Sequence, residues 1–235
     1  MILQLNNILT SDSRLKTEVL PCNCNTKYIS VTGQDGSGKT TLRNNLAKYF
    51  ADKGNTVILA KSPCDPHTVH MLNHAISQSG YKDWYTEQLL FSFMDGVLSN
   101  YMIQLDEKCD YFICQRGPID QYAHGITRSE KSYTEIYNIQ RPERLAKFDA
   151  YIHMNCEPKV AWERICKDEG KDRYEYPEYF EKQVPNTKAL YDNIVNGNQH
   201  ELEFLRKSKH YYIDTTKMET DEVMKTAISF INTIL

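Results

Sequence analysis

The chain has 235 residues, 40% of them hydrophobic and 25% charged, enough for one full domain or at most two small ones. A net charge of −3 excludes a global basic field for non-specific duplex binding. No apolar run approaches the roughly 18 residues that cross a membrane, so no membrane partner is expected.

Met1–Thr10 lacks the basic start of a signal peptide. Residues 1–27 match no motif and end in a Pro-Cys-Asn-Cys-Asn cluster. They read as an N-terminal extension that packs on the domain or stays mobile. The cysteines (Cys22, Cys24, Cys64, Cys109, Cys114, Cys156 and Cys166) are odd in number and dispersed. That suits reduced thiols in a cytoplasm better than a disulfide framework. No further ligands flank Cys22-Asn23-Cys24, so ordinary thiols are expected there.

Tyr28-Ile29-Ser30-Val31-Thr32 predicts a buried strand. Directly after it comes Gly33-Gln34-Asp35-Gly36-Ser37-Gly38-Lys39-Thr40. Two glycines with four residues between them, then Lys and Thr, form a phosphate-binding P-loop pattern. The glycines let the backbone turn and approach a ligand closely. Successive N–H groups then face phosphate oxygens. Lys39 supplies a charge for the β- and γ-phosphates of a bound nucleotide, and the Thr40 hydroxyl can ligate Mg²⁺. Leu42, Leu46, Tyr49 and Phe50 follow at helical spacing, and Gly54 ends the run. Strand, loop and helix are the context the motif requires.

Further strands are expected at Val57–Ala60, Tyr111–Cys114, Ala150–Met154 and Tyr211–Ile213. Helical patterns cover about 67–78, 84–107, 158–168, 178–195 and 219–234, with Pro158 placed as a first-turn proline. The rhythm predicts a three-layer α/β P-loop fold over 28–235: a mostly parallel five-stranded sheet with helices on both faces. His153 reads as a hydrogen-bonded core histidine and Trp162 as core. The tyrosines read as packing residues, with base stacking along a nucleic acid as the sharper alternative.

The P-loop leaves GTPases, motor-like ATPases and small-molecule kinases open. A GTPase would carry Asn-Lys-x-Asp, which is absent. Instead Asp172-Arg173-Tyr174-Glu175 follows the fourth strand and its helix, preceded by Arg164, Lys167 and Lys171. A basic lid over about 164–176 would close on a transferring phosphoryl group and neutralise its oxygens.

From about Tyr28 to its end the chain resembles the thymidylate kinase family. Gly33 to Thr41 looks like that family's P-loop, Asp35 included. Leu89-Leu90-Phe91-Ser92 is similar to the segment whose Phe stacks on thymine. Gln115-Arg116 falls where the family has Asp-Arg, with Ala123 following. Arg164 with Asp172–Glu175 resembles the lid, and Ile213-Asp214-Thr215 the turn near adenine. The resemblance implies that Gly33, Gln34, Asp35, Gly36, Ser37, Gly38, Lys39, Thr40 and Thr41 bind ATP. It implies catalytic roles for Lys39, Arg116, Arg164 and Arg173. Asp35, Lys61, Phe91, Asp95, Gln115 and Arg116 would hold the acceptor, with Asp35 on the sugar 3′-hydroxyl. It also implies a homodimer, for which the apolar helix around 84–105 is a candidate interface.

Three departures bear on the acceptor. Gln115 replaces a carboxylate and is a poorer Mg²⁺ ligand, which leaves Asp120 or Asp35 as helpers, or Thr40 with phosphates and water. Lys61-Ser62-Pro63-Cys64-Asp65 keeps a cation but brings Asp65 near an acceptor phosphate, and His67 is a further donor. Asp95 falls at the family's base-reading Arg and would accept from a donor on the base edge. The leading expectation is transfer from ATP to a pyrimidine deoxynucleoside monophosphate. The alternatives are transfer to a hydroxyl, such as a deoxynucleoside or 5-hydroxymethyluracil in DNA, and a nucleotide-binding protein without catalysis.

Overall fold

A sixth strand joins the five expected from the sequence. The structure, a computed structural model, describes residues 1–5, 26–77, 80, 83–166 and 176–234. In chain order the strands are β1 Ile2–Gln4, β2 Lys27–Gly33, β3 Val57–Lys61, β4 Tyr111–Gln115, β5 Ala150–Asn155 and β6 Lys209–Asp214. The helices are α1 Lys39–Asp52, α2 Pro66–Ile76, α3 Trp84–Gln104, α4 Pro118–Ser129, α5 Tyr133–Gln140, α6 Pro158–Ile165, α7 Pro177–Asn196, α8 Glu203–Arg206 and α9 Thr220–Ile234.

The sheet order is β1-β3-β4-β2-β5-β6, and every pairing is parallel. Among the described residues the count is therefore six, a correction to the expected five. β1 is three residues long, too short to show a period, and backbone pairing to Val57–Leu59 defines it.

Side chains alternate across the strands and feed two cores. Val57 and Leu59 pack with Leu42, Leu46 and Phe50 of α1 and with Val223, Ala227 and Ile231 of α9. Ile58 and Ala60 pack the opposite way, with Leu98 and Met102 of α3, Ile119 of α4 and Leu190 of α7. This is the three-layer arrangement the strand rhythm implied. It leaves the carboxyl ends of β2 to β5 open as the site a parallel sheet presents to a ligand. Pro158 opens α6 as expected, and Gly54 (φ 89°) follows α1. His153 is buried, with Nε2 2.9 Å from His210 Nδ1. Trp162 is half-buried against Phe180. Cys64, Cys114 and Cys156 are free thiols, while Cys22 and Cys24 lie outside the described residues. Among the described residues no helix is long and apolar enough to cross a membrane.

Candidate active site

β2 is central in the sheet, between β4 and β5, and ends at Gly33. Gly33 has φ 129°, and a Cβ there would collide with the Met154 carbonyl oxygen of β5. At Gly36 (φ 78°) a Cβ would lie 2.5 Å from the Ala161 oxygen of α6. Both glycines are thus required by close backbone approach as well as by φ. The loop is held from beneath. Gln34 Nε2 donates to the Cys156 oxygen at 2.5 Å, and Ser37 Oγ to the Gln34 oxygen at 2.7 Å. Thr215 Oγ1 donates to the Ser37 oxygen at 3.0 Å. Asp120 accepts from Thr32 Oγ1 at 2.5 Å and from the Gly33 N–H at 3.3 Å.

Three charges meet above the loop. Lys39 Nζ donates to the Gln34 oxygen at 2.5 Å and to Asp35 Oδ1 at 3.1 Å. Arg116 Nη2 reaches the same Asp35 oxygen at 2.5 Å. Burial alone would raise the Asp35 pKa, but Arg116 and then Lys39 hold it well below the usual carboxylate range. Desolvation lowers the Lys39 pKa, against the pull of Asp35. Arg116 has φ 71°, a region that disfavours a side chain and that clusters at functional positions. Its backbone is fixed there by N–H donation to the Val31 oxygen (2.9 Å) and by Ser30 Oγ donating to its own oxygen (3.3 Å).

On one side of this cluster lies a cavity of about 380 Å³, lined by Ser37, Gly38, Thr41, Arg164, Thr215 and Val223 among others. Arg164 does not reach out from α6. Its Nη1 donates to the Gly36 oxygen and to Thr215 Oγ1, both at 3.2 Å, and its Nη2 to the Thr215 oxygen at 3.0 Å. It therefore braces the P-loop against the turn after β6. Arg173, with Asp172 to Glu175, lies outside the described residues.

On the other side is a narrow cleft of about 20 Å³ that includes Phe91, Arg116, Gln121, His124 and Arg128. Phe91 stacks on His124 at 6.2 Å, and the Arg128 guanidinium lies 5.5 Å over its ring. A volume that small holds about one water, so a ring entering this cleft must first part these side chains. His124 Nδ1 meets Tyr179 Oη at 3.2 Å. Burial keeps the His124 pKa well below the ordinary histidine value, and Arg128 adds to the shift.

The remaining expected residues divide. Lys61 ends β3, exposed at the mouth. Desolvation and then Arg116 lower its pKa, with Asp35 opposing. Thr40 Oγ1 donates to Gln115 Oε1 at 3.0 Å, so these two oxygens stand together. Asp65 caps α2, accepting from the His67 and Thr68 N–H groups at 3.0 and 3.2 Å, which turns its charge into the helix start. Asp95 is 1% exposed and lies behind the cleft. It accepts from Gln140 Nε2 at 2.6 Å and Ser62 Oγ at 3.5 Å, and burial pushes its carboxyl up to about 8. Gln121, His124 and Arg128 were not singled out from the sequence. They recur at i, i+3 and i+7, one helical face, which was the available signal.

A model of the thymidylate kinase family matches residues 31–223. Thymidylate kinase of Bacillus cereus (strain B4264) is 27% identical over 157 residues, covering 62% of this chain and 72% of that protein. Thymidylate kinase of Bacillus mycoides (strain KBAB4) is 26% identical over 161 residues, with the same 62% and 72% coverage. A solved thymidylate kinase from Candida albicans superposes with a TM-score of 0.69 over 90% of this chain and 93% of its own, at 18% identity. That likeness is one of fold.

Proposed function

Because the chain belongs to the thymidylate kinase family, we propose that it is a P-loop kinase transferring the γ-phosphoryl group of ATP to a pyrimidine deoxynucleoside monophosphate. One observation carries this reading. A single oxygen of Asp35 joins Lys39, which follows the cavity-lining Gly38, to Arg116, which lines the Phe91 cleft, at 3.1 and 2.5 Å. The donor half and the acceptor half of a phosphotransferase thus share one carboxylate.

In this reading ATP lies along Gly33 to Thr41, with its adenosine end towards Thr215. Lys39 holds the β- and γ-phosphates. Arg116 holds the acceptor phosphate or the group in flight, and Lys61 strengthens the field at the mouth. Phe91 supplies the stacking face and Asp35 the contact to the sugar. Arg164 keeps the loop in shape, and Arg173 is proposed from the sequence alone to share the transition-state charge. A monophosphate is already nucleophilic, so positioning and electrostatics suffice and no strong base is needed.

Mg²⁺ would be held by Thr40 and Gln115. Their paired neutral oxygens fit a hard cation that arrives on phosphates and keeps most of its water. The ion would neutralise phosphate charge. A homodimer through α3 is part of the proposal, supported by the outward Tyr85, Leu89, Phe93 and Ile103, 45–68% exposed. A cytoplasmic location is consistent with the free thiols.

The altered acceptor side of the sequence, with Asp65 in the Lys61 loop and Asp95 at the base-reading position, motivates a second reading, transfer to a hydroxyl such as that of 5-hydroxymethyluracil in DNA, for which Gln115 supplies no base. Labelled ATP decides between them against deoxynucleoside monophosphates, nucleosides and hydroxymethylated DNA. Transfer to thymidylate or deoxyuridylate supports the first reading and transfer only to DNA the second. Tight ATP binding with no transfer refutes both.

A further inference from the structure

The P-loop is fastened on two sides. Residues after β5 and β6 hold one side, through Gln34 on the Cys156 oxygen and Thr215 on the Ser37 oxygen. Asp120 holds the other. It stands in the first turn of α4 and is 3% exposed. One of its oxygens accepts from Thr32 Oγ1 at 2.5 Å and the other from the Gly33 N–H at 3.3 Å. Thr32 and Gly33 close β2 and lead directly into the loop. Two accepting oxygens fit the ionised carboxylate, and a buried charge is costly unless it is bonded and paired. Burial raises the Asp120 pKa, and Lys39 is the first charge that opposes the rise. Further along the same helix, His124 and Arg128 line the Phe91 cleft. Asp120 thus joins the strand that feeds the loop to the helix that carries the cleft.

We propose that Asp120 is a positioning residue for phosphoryl transfer: it ties the donor loop to the acceptor helix, so that Lys39 and Arg116 meet the transferring group at a fixed spacing. The inference rests on the kinase reading above and adds to it a residue that touches neither substrate. Transfer tolerates little error of distance, and a misplacement of about 1 Å can cost about 100-fold in rate.

The test is steady-state kinetics with ATP and thymidylate in three variants. Asp120→Ala removes the tie. Asp120→Asn keeps it, because the amide oxygen accepts from the Gly33 N–H while its NH2 donates to the Thr32 hydroxyl, which turns round to accept. Thr32→Val removes one of the two bonds and guards against misfolding of the alanine variant. In Asp120→Ala kcat falls about 10–100-fold while KM for ATP stays within about threefold. Asp120→Asn recovers most of the lost kcat, and Thr32→Val gives an intermediate loss. Wild-type kcat in Asp120→Ala or in Thr32→Val overturns the proposal, and so do equal losses in the alanine and asparagine variants. A KM for ATP that rises in step with the loss of kcat also overturns it, since Asp120 would then only shape the binding loop. If wild type phosphorylates no monophosphate, the transfer reading fails on its own. Hydrogen exchange at the Gly33 amide, read by NMR, then decides the tie. Faster exchange in Asp120→Ala than in Asp120→Asn supports it, and equal exchange overturns it.

Discussion

Replacing Asp35 by Asn tests the shared carboxylate directly. The change keeps the shape of the side chain and removes one negative charge from between Lys39 and Arg116, 3.1 and 2.5 Å away. Removing one partner of a fully buried ion pair costs about 3–5 kcal/mol, because the remaining charge loses its counterpart. Lys39 is almost wholly buried, but the Asp35 and Arg116 side chains are 26% and 22% exposed, so water screens part of the loss. A cost of about 2 kcal/mol follows, or a fall of about 4–8 °C in Tm for a chain of this length. ATP brings its own negative charge to Lys39, so saturating nucleotide should restore most of the lost stability. The Asp35 pKa is depressed in the fold, so its contribution is full above the unfolded carboxylate value of about 4 and fades as pH falls through the folded value. The gap between wild type and Asp35→Asn should therefore narrow below about pH 4. Differential scanning fluorimetry with and without ATP across pH measures all of this. An unchanged apo Tm, or a loss of the same size with ATP bound, would refute the argument.

Three more outcomes are expected. Lys39→Ala should lower turnover by about 10²–10³-fold while circular dichroism shows an intact fold. Normal turnover in that variant would dismiss the P-loop assignment. Gly33→Ala forces a Cβ into the Met154 carbonyl at a positive φ and should destabilise by more than about 3 kcal/mol in urea unfolding. A loss under about 1 kcal/mol would show that β5 can retreat. Burial lowers the His153 pKa well below its ordinary 6.5, so the unfolded chain takes up a proton first and stability falls as pH drops below 6.5. His153→Phe should flatten that fall, and an identical acid profile would show that other groups carry it.

The donor half was legible because its residues are fixed by chain order. A strand, a glycine-rich loop and a helix start are adjacent in sequence, so Gly33 to Thr41 could be read as one object. The acceptor half is assembled from α3, α4 and the end of β3, and its reading depended on register. Asp95 shows the difficulty. It was expected on the base edge, yet it is 1% exposed and its oxygens accept from Gln140 and Ser62. α4 was missed although Ile119, Tyr122, Ala123 and Ile126 recur on it at helical spacing, and Asp120, Gln121, His124 and Thr127 are buried on it as well. β1 escaped because three residues cannot show alternation.

The charge balance at the loop gives Gln115 a role beyond a missing metal ligand. Asp35 is engaged by Lys39 and Arg116, and Asp120 by Thr32 and the Gly33 N–H. Both of these carboxylates thus already have a structural task. Lys39, Arg43 and Arg116 all bear on Lys61 strongly enough to help lower its pKa. A carboxylate at 115 would cancel part of that positive field. A neutral Gln keeps an oxygen beside Thr40 and leaves the field undiminished. The site then draws phosphate groups mainly through its cations. That weighting suits the binding of two anionic partners at once, which is what transfer between a triphosphate and a monophosphate demands.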